Sequence, residues 1–187
     1  MMGMVGHYHE DDFGMREILP IEFWAFCEVQ IEMMEEEAAK HFLGSEAGWS
    51  QVNILAEKPK ELAGLAMRRS EIVKVLGTHL PQYERIETGS FSYAVPTERN
   101  EGFGFSPWIG IFFDFDQNEI VRQIWLAPGG TTDAERNAFV NAFTSLSTFG
   151  SFLFVDWLRG ELMRADDRAA LMRYFRIAAG EESDDGD

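Results

Sequence analysis

The most regular pattern in the chain lies between Pro20 and Leu43. Apolar side chains recur at Trp24, Cys27, Ile31, Met34, Ala38 and Phe42, three to four residues apart, as one face of an α-helix requires. Pro20 suits a first helical turn, where its missing N–H costs nothing, and Gly44 supplies a stop. The spacing predicts a helix over 20–43. Its glutamates fall on the outer faces, and Lys40 and His41 sit near the C-terminal end, where the helix dipole favours cations. Ahead of it, Phe13–Leu19 reads as a short strand and residues 1–12 as a flexible lead-in. After it, Trp49–Glu57 alternates as a strand would. Pro59 opens a short helical turn, and Ser70–His79 reads as a second helix closed before Pro81.

From Tyr83 onward strands dominate. Tyr83–Thr88 and Phe91–Val95 predict a hairpin around Gly89 and Ser90, and residues 96–106 a long loop. Trp108–Phe115 is apolar on both alternating faces, which predicts a central strand covered on both sides. Asp116–Glu119 then turns, and Ile120–Leu126 returns antiparallel. Thr132-Asp133-Ala134-Glu135 matches a capping box, with Ala138, Phe139, Ala142, Phe143 and Leu146 giving the following helix an apolar face. Ser151–Leu158 and Glu161–Arg164 pair across the Arg159-Gly160 turn. Asp166 or Asp167 caps a last helix that runs to about Arg176. The expected fold class is α+β: one domain over 13–178, a largely antiparallel sheet with about four helices, and an acidic disordered tail over 179–187.

Composition adds to this picture mainly through charge. The 187 residues carry 32 acidic and 16 basic side chains, a formal charge of −16. Residues 10–37 hold ten acids against Arg16 alone, and residues 181–187 hold five acids and no base. The rest is close to neutral. Phosphate binding needs clustered Lys and Arg, so nucleic acid and anionic membrane are disfavoured as partners. A basic protein is the complementary choice, although the same charge also serves solubility. No apolar run approaches the ~18–20 residues of a membrane span, and no basic start precedes an apolar stretch, so a cytoplasmic location is expected. The single cysteine, Cys27, excludes an intramolecular disulfide and a Cys-rich zinc site.

Specific chemistry is sparse. His7 and His9 would point the same way in an extended chain, beside Glu10, Asp11 and Asp12. The segment reads either as a two-imidazole metal site or as a solvated polar lead-in, and no metal or other cofactor is expected. Asp114-Phe115-Asp116-Gln117-Asn118-Glu119 begins like a calcium loop. It then places Glu119 where Gly is needed and Trp125 where the closing Glu belongs, so a hairpin turn accounts for it better. Asp156 interrupts an apolar strand, and its place near the strand end points to exposure; Asp114 reads the same way. Cys27 falls on the packed helix face as a small core residue. G-x-S-x-G, Walker, Rossmann and H-E-x-x-H signatures are absent, and no catalytic residue is assigned. Trp49, beside Gly48, and Phe103 and Phe105, in the expected loop, read either as contact anchors or as side chains folding back on the core.

Three stretches together carry a resemblance: H-Y-H-E-D-D-F-G-M-R-E-I-L-P (His7–Pro20) leading into the acidic helix, D-F-D-Q-N-E-I-V-R-Q-I-W-L (Asp114–Leu126), and V-D-W-L-R-G-E-L (Val155–Leu162). In this style the chain resembles immunity proteins of interbacterial polymorphic-toxin systems. The resemblance implies a non-enzymatic protein that binds a cognate toxin domain and occludes its active site or substrate surface. The charge distribution makes helix 20–43 the first candidate face, with Glu28, Glu32, Glu35 and Glu36 as contact residues beside Trp49, Phe103 and Phe105. Three other readings stand beside it. They are an adaptor or chaperone-like binding module, a hydrolase or metal enzyme using Asp114, Asp156 or His9, and a self-assembling structural protein.

Overall fold

Arg16–Pro20 (β2) is the strand on which the larger sheet depends. It lies antiparallel between Val121–Ala127 (β7) and Phe152–Asp156 (β8). The computed structural model describes residues 3–9, 13–41, 62–90, 93–129 and 132–181. Within them β2 joins the meander Asn100–Ser106 (β5), Ile109–Phe115 (β6) and β7 to the hairpin of β8 with Glu161–Arg164 (β9). The order of this six-stranded sheet is β5-β6-β7-β2-β8-β9. A second sheet of three strands places Val5–His9 (β1) parallel to Arg85–Ser90 (β3), which pairs antiparallel with Tyr93–Pro96 (β4). Four α-helices are described: Trp24–His41 (α1), Arg69–Leu76 (α2), Asp133–Ser145 (α3) and Arg168–Ala178 (α4). The fold is α+β, as expected, with its strands divided between two sheets.

Both faces of the larger sheet are covered, by different partners. Ile111 and Phe113 of β6, Ile124 and Leu126 of β7, and Phe152 and Phe154 of β8 point toward α2, α3 and α4, where Ile72, Phe139, Phe143 and Phe175 meet them. On the opposite face, Leu153 and Val155 meet Cys27 and Ile31 of α1. Next to these contacts on that face, Tyr8 of the small sheet and Tyr83, just ahead of β3, lie against Phe112 and Trp125. The alternation in β6 explains its continuous apolar sequence: Phe113 faces the helices and Phe112 the small sheet.

Several expectations need correction. Residues 5–9 are a strand, not a flexible lead-in; in Val-Gly-His-Tyr-His the glycine and the two histidines weaken the strand signal, and its order comes from the parallel partner β3, eighty positions away in the sequence. The α-helix begins at Trp24; Pro20 closes β2, and Ile21–Phe23 form a 3-10 turn between them. The expected loop 96–106 is largely the strand β5. Its glycines hid it. A Cβ at Gly104 would collide with Tyr83 Oη and Ile109 O, because the Tyr83 ring lies flat on this strand while its hydroxyl donates to Ser106 O (2.7 Å) or Ile109 O (2.8 Å). At the other end, residues 179–181 belong to the folded body, with Glu181 paired to Arg136 at 2.9 Å. The expected strand Trp49–Glu57, Pro59 itself and the tail beyond Glu181 lie outside the described residues, and Leu62–Leu65 form a 3-10 turn where the sequence predicts a short helical turn after Pro59.

The local signals of the second half read correctly. Thr132 Oγ1 accepts from Glu135 N, and Glu135 returns to Thr132 N at 2.7 Å, completing the capping box. Asp167, rather than Asp166, caps α4 by accepting from Ala169 N and Ala170 N. Asp116 closes the β6–β7 turn by accepting from Asn118 N (2.8 Å) and Ile120 N (2.9 Å), the hairpin role preferred over a calcium loop.

Candidate functional site

The acidic face of α1 is built by helical spacing. Cys27 and Ile31 fix the helix to the β8 face, and the opposite side presents Glu28, Glu32 and Glu36 at steps of four, a continuous rank on solvent. Glu28 accepts a hydrogen bond from Trp24 Nε1 at 2.6 Å. Glu35 is also exposed but stands at the edge of this face, beside the β8–β9 turn, where Gly160 adopts a left-handed φ of 65° close to the Glu35 carboxylate. Glu37 is held by Lys40 (2.7 Å) and His41 (3.4 Å) on another side of the helix. Two apolar residues border the rank, Val29 at 51% and Met33 at 52% exposure. The sequence reading did not single them out, although their i, i+4 spacing off the packed face was available as a signal.

The aromatic anchors do not join this face. Phe103 has 0% exposure and lies in the main core, and Phe105 is half-buried with its ring edge-on to Phe139 at 5.9 Å. Of the two readings, the core one holds for Phe103, and Phe105 packs against that core from a half-buried position: once 100–106 is a strand, odd positions of β5 face the helices. Trp49 lies outside the described residues.

The carboxylates singled out for chemistry behave differently from one another. Asp156 is wholly buried, not exposed. It accepts from Arg16 Nε (3.1 Å), Tyr174 Oη (2.8 Å), Leu158 N (3.0 Å) and Arg159 N (3.3 Å), so its interior position is supported by four donors. Burial, with the Asp156 carboxylate beside it, pushes the Tyr174 hydroxyl pKa upward. On the other face of β2, Glu17 is buried and accepts from Trp157 Nε1 and Gln123 Nε2, both at 2.9 Å. Burial raises the Cys27 thiol to about 12, which keeps it protonated. His7 is buried edge-on against Trp108, with ring centroids 4.0 Å apart, and desolvation lowers its pKa. Among the described residues no group of three or more His, Cys, Asp or Glu converges as a metal site. Among them, too, no helix is long and apolar enough to cross a membrane.

Asp114 is half-buried in a concavity the sequence did not reveal. It is the cross-strand partner of Asn100, and this pair faces the pair Tyr8–Thr88 of the small sheet across the junction of the two sheets. Asn100 Nδ2 spans the junction to Tyr8 Oη at 3.5 Å. The pocket has a volume of about 400 Å³, and Arg99, Arg122 and Phe13 also line it. In comparisons with protein-family models, curated proteins and solved structures, nothing matched this chain.

Proposed function

We propose that the protein is a non-enzymatic binding module that neutralises a basic protein partner, in the manner of an immunity protein covering the active site or substrate surface of a toxin domain. The observation that carries this reading is the rank Glu28–Glu32–Glu36 with Val29 and Met33 at its border, on a helix whose other side is fixed to the sheet. A rigid acidic rank steers a cationic surface into place, and the exposed apolar pair offers area that binding can desolvate. A nuclease groove that binds phosphates would present the complementary charge. Asp156, the most buried carboxylate among the described residues, is engaged by structural donors, which argues against hydrolytic use of that group.

The test is functional neutralisation. Basic proteins retained by the chain from its host's lysate at low salt are expressed alone and together with it. One that is toxic alone and harmless in company supports the reading. The triple variant Glu28→Lys, Glu32→Lys, Glu36→Lys should then slow association by at least tenfold at low salt and abolish protection. Protection and salt dependence unchanged by the triple variant would remove α1 as the contact face. Retention of non-toxic basic proteins alone would favour an adaptor.

A further inference from the structure

The pocket at the sheet junction is independent of the α1 face, and its chemistry is of the opposite sign. In a chain with two acids for every base, Arg99 and Arg122 both line one concavity. Both residues are exposed, Arg99 just ahead of β5 and Arg122 in β7. Deeper, the Asn100–Asp114 pair presents an amide and a carboxylate, and Tyr8 and Phe13 supply aromatic walls. Phe13 is 40% exposed, with its ring edge-on to Trp125 at 4.8 Å and tilted beside Tyr8 at 6.3 Å, so it contributes a part-exposed aromatic surface to the concavity.

We propose that this pocket binds a small anion carrying a planar ring, with the anionic group on Arg99 and Arg122, the ring against Phe13, and a ring N–H or O–H donating to Asp114. Each part follows from a property of the lining. Two guanidinium forks match carboxylate or phosphate oxygens. A part-exposed aromatic ring beside them can pack against a flat ring. A carboxylate at the inner end accepts hydrogen bonds and repels a second anion, so the ligand's inner end is a neutral donor. The volume of about 400 Å³ falls within the range of small-molecule pockets, roughly 300–1,000 Å³. A guanidinium has five donors and an ionised carboxylate about four acceptor sites, so Arg122 and Asp114 can serve a ligand alongside their existing contacts. Two sources supply this chemistry: a guanine nucleotide, whose base edge carries adjacent N–H donors, and a hydroxylated aromatic acid.

Isothermal titration of the full chain with guanosine monophosphate, 4-hydroxybenzoate and inorganic phosphate separates the outcomes. Binding of either ring-bearing anion at least tenfold tighter than inorganic phosphate is expected, and whichever binds identifies the source. Arg99→Ala and Arg122→Ala should each weaken that ligand about tenfold, consistent with losing one charge-assisted hydrogen bond. Phe13→Leu should weaken it with little effect on phosphate. The residues changed are exposed, so the variants are expected to keep the wild-type circular dichroism. Failure of both ring-bearing anions to bind at millimolar concentration, or binding that ignores both arginine substitutions, overturns the proposal. Neither result bears on α1, whose test is protection from a toxic partner.

Discussion

Arg16 and Asp156 are cross-strand partners in the β2–β8 ladder, and their side chains close an ion pair at 3.1 Å with Asp156 fully buried. The pair sits on the helix-facing side of the sheet, where Tyr174 of α4 donates to the same carboxylate oxygen as Arg16. One carboxylate therefore ties together β2, the β8–β9 turn and α4. Removing one partner of a buried pair leaves the other charge uncompensated, at a cost of about 3–5 kcal/mol. Asp156→Ala should lose stability on that scale in urea denaturation. Tyr174→Phe, which removes only one hydrogen bond, should lose about 1–2 kcal/mol. Equal losses from the two would mean that the charge is not what the site holds.

Cys27 should be inert while the chain is folded. Its thiol is buried and pushed up to about 12, so almost no thiolate exists at pH 8. A thiol-directed disulfide reagent should label it only after denaturant is added. Rapid labelling of the native chain would show that α1 opens readily from the β8 face.

At Gly104 the backbone is flush against Tyr83, and any side chain must displace the ring or the Ile109 carbonyl. Overpacking of this kind costs about 1–3 kcal/mol. Gly104→Ala should therefore lower the denaturation midpoint, and Tyr83→Phe in the same chain should recover only part of the loss, because the ring carbons also stand in the way. Full recovery would place the whole conflict on the hydroxyl.

Acid should weaken the fold in two windows. The His7 pKa is lowered, chiefly by desolvation and also by neighbouring His9, while Glu87 opposes; Trp108 covers the ring. A folded pKa below the unfolded 6.5 means that the native state binds fewer protons. Stability from His7 is complete above about 6.5 and is lost as pH falls toward the folded value. The second window belongs to Asp116, lowered first by the Ile120 N–H, and to Asp133 and Asp166, lowered by Arg136 and Arg164. Their contribution is present above the unfolded value of 3.8 and declines below it. Urea midpoints at pH 7.5, 5.5 and 3 should fall stepwise. His7→Asn should shrink the first step and leave the second; an unchanged first step would assign it to another group.

Trp125 Nε1 is buried without a hydrogen-bond partner among the described residues. Replacing the indole removes an unsatisfied donor but also ring area packed between Tyr8, Phe13 and Phe112. Trp125→Phe should cost less than about 3 kcal/mol, below the usual penalty for a large core deletion, because part of the packing loss is offset by the donor removed. A larger loss would indicate that the donor is satisfied in solution by a bound water.

What was legible in the sequence was local. The α1 periodicity, the Thr132–Glu135 box and the Asp116 turn each lie within one element, and each reads directly from side-chain spacing. What was not legible depended on distant partners. β1 is a strand because β3 comes beside it, and β5 because Tyr83 covers its glycines. Asp156 looked exposed at the strand end because its four donors come from β2, α4 and the following turn. The glutamates of α1 could be placed outside from the helical period alone. The pocket could not, because its two facing residue pairs come from strands of different sheets.

The position of β2 sets an order of events. Without residues 16–20 the larger sheet is two separate pieces, β5-β6-β7 and β8-β9, and the facing edges of β7 and β8 are among the most apolar strands in the chain. Of the six strands of this sheet β2 is made first, and it has no partner until more than a hundred further residues have followed. Until then it is a key made before its lock, and afterwards it is a wedge that caps two adhesive edges with one short segment. The same five residues that complete the fold are therefore also its main guard against edge-to-edge association with another copy.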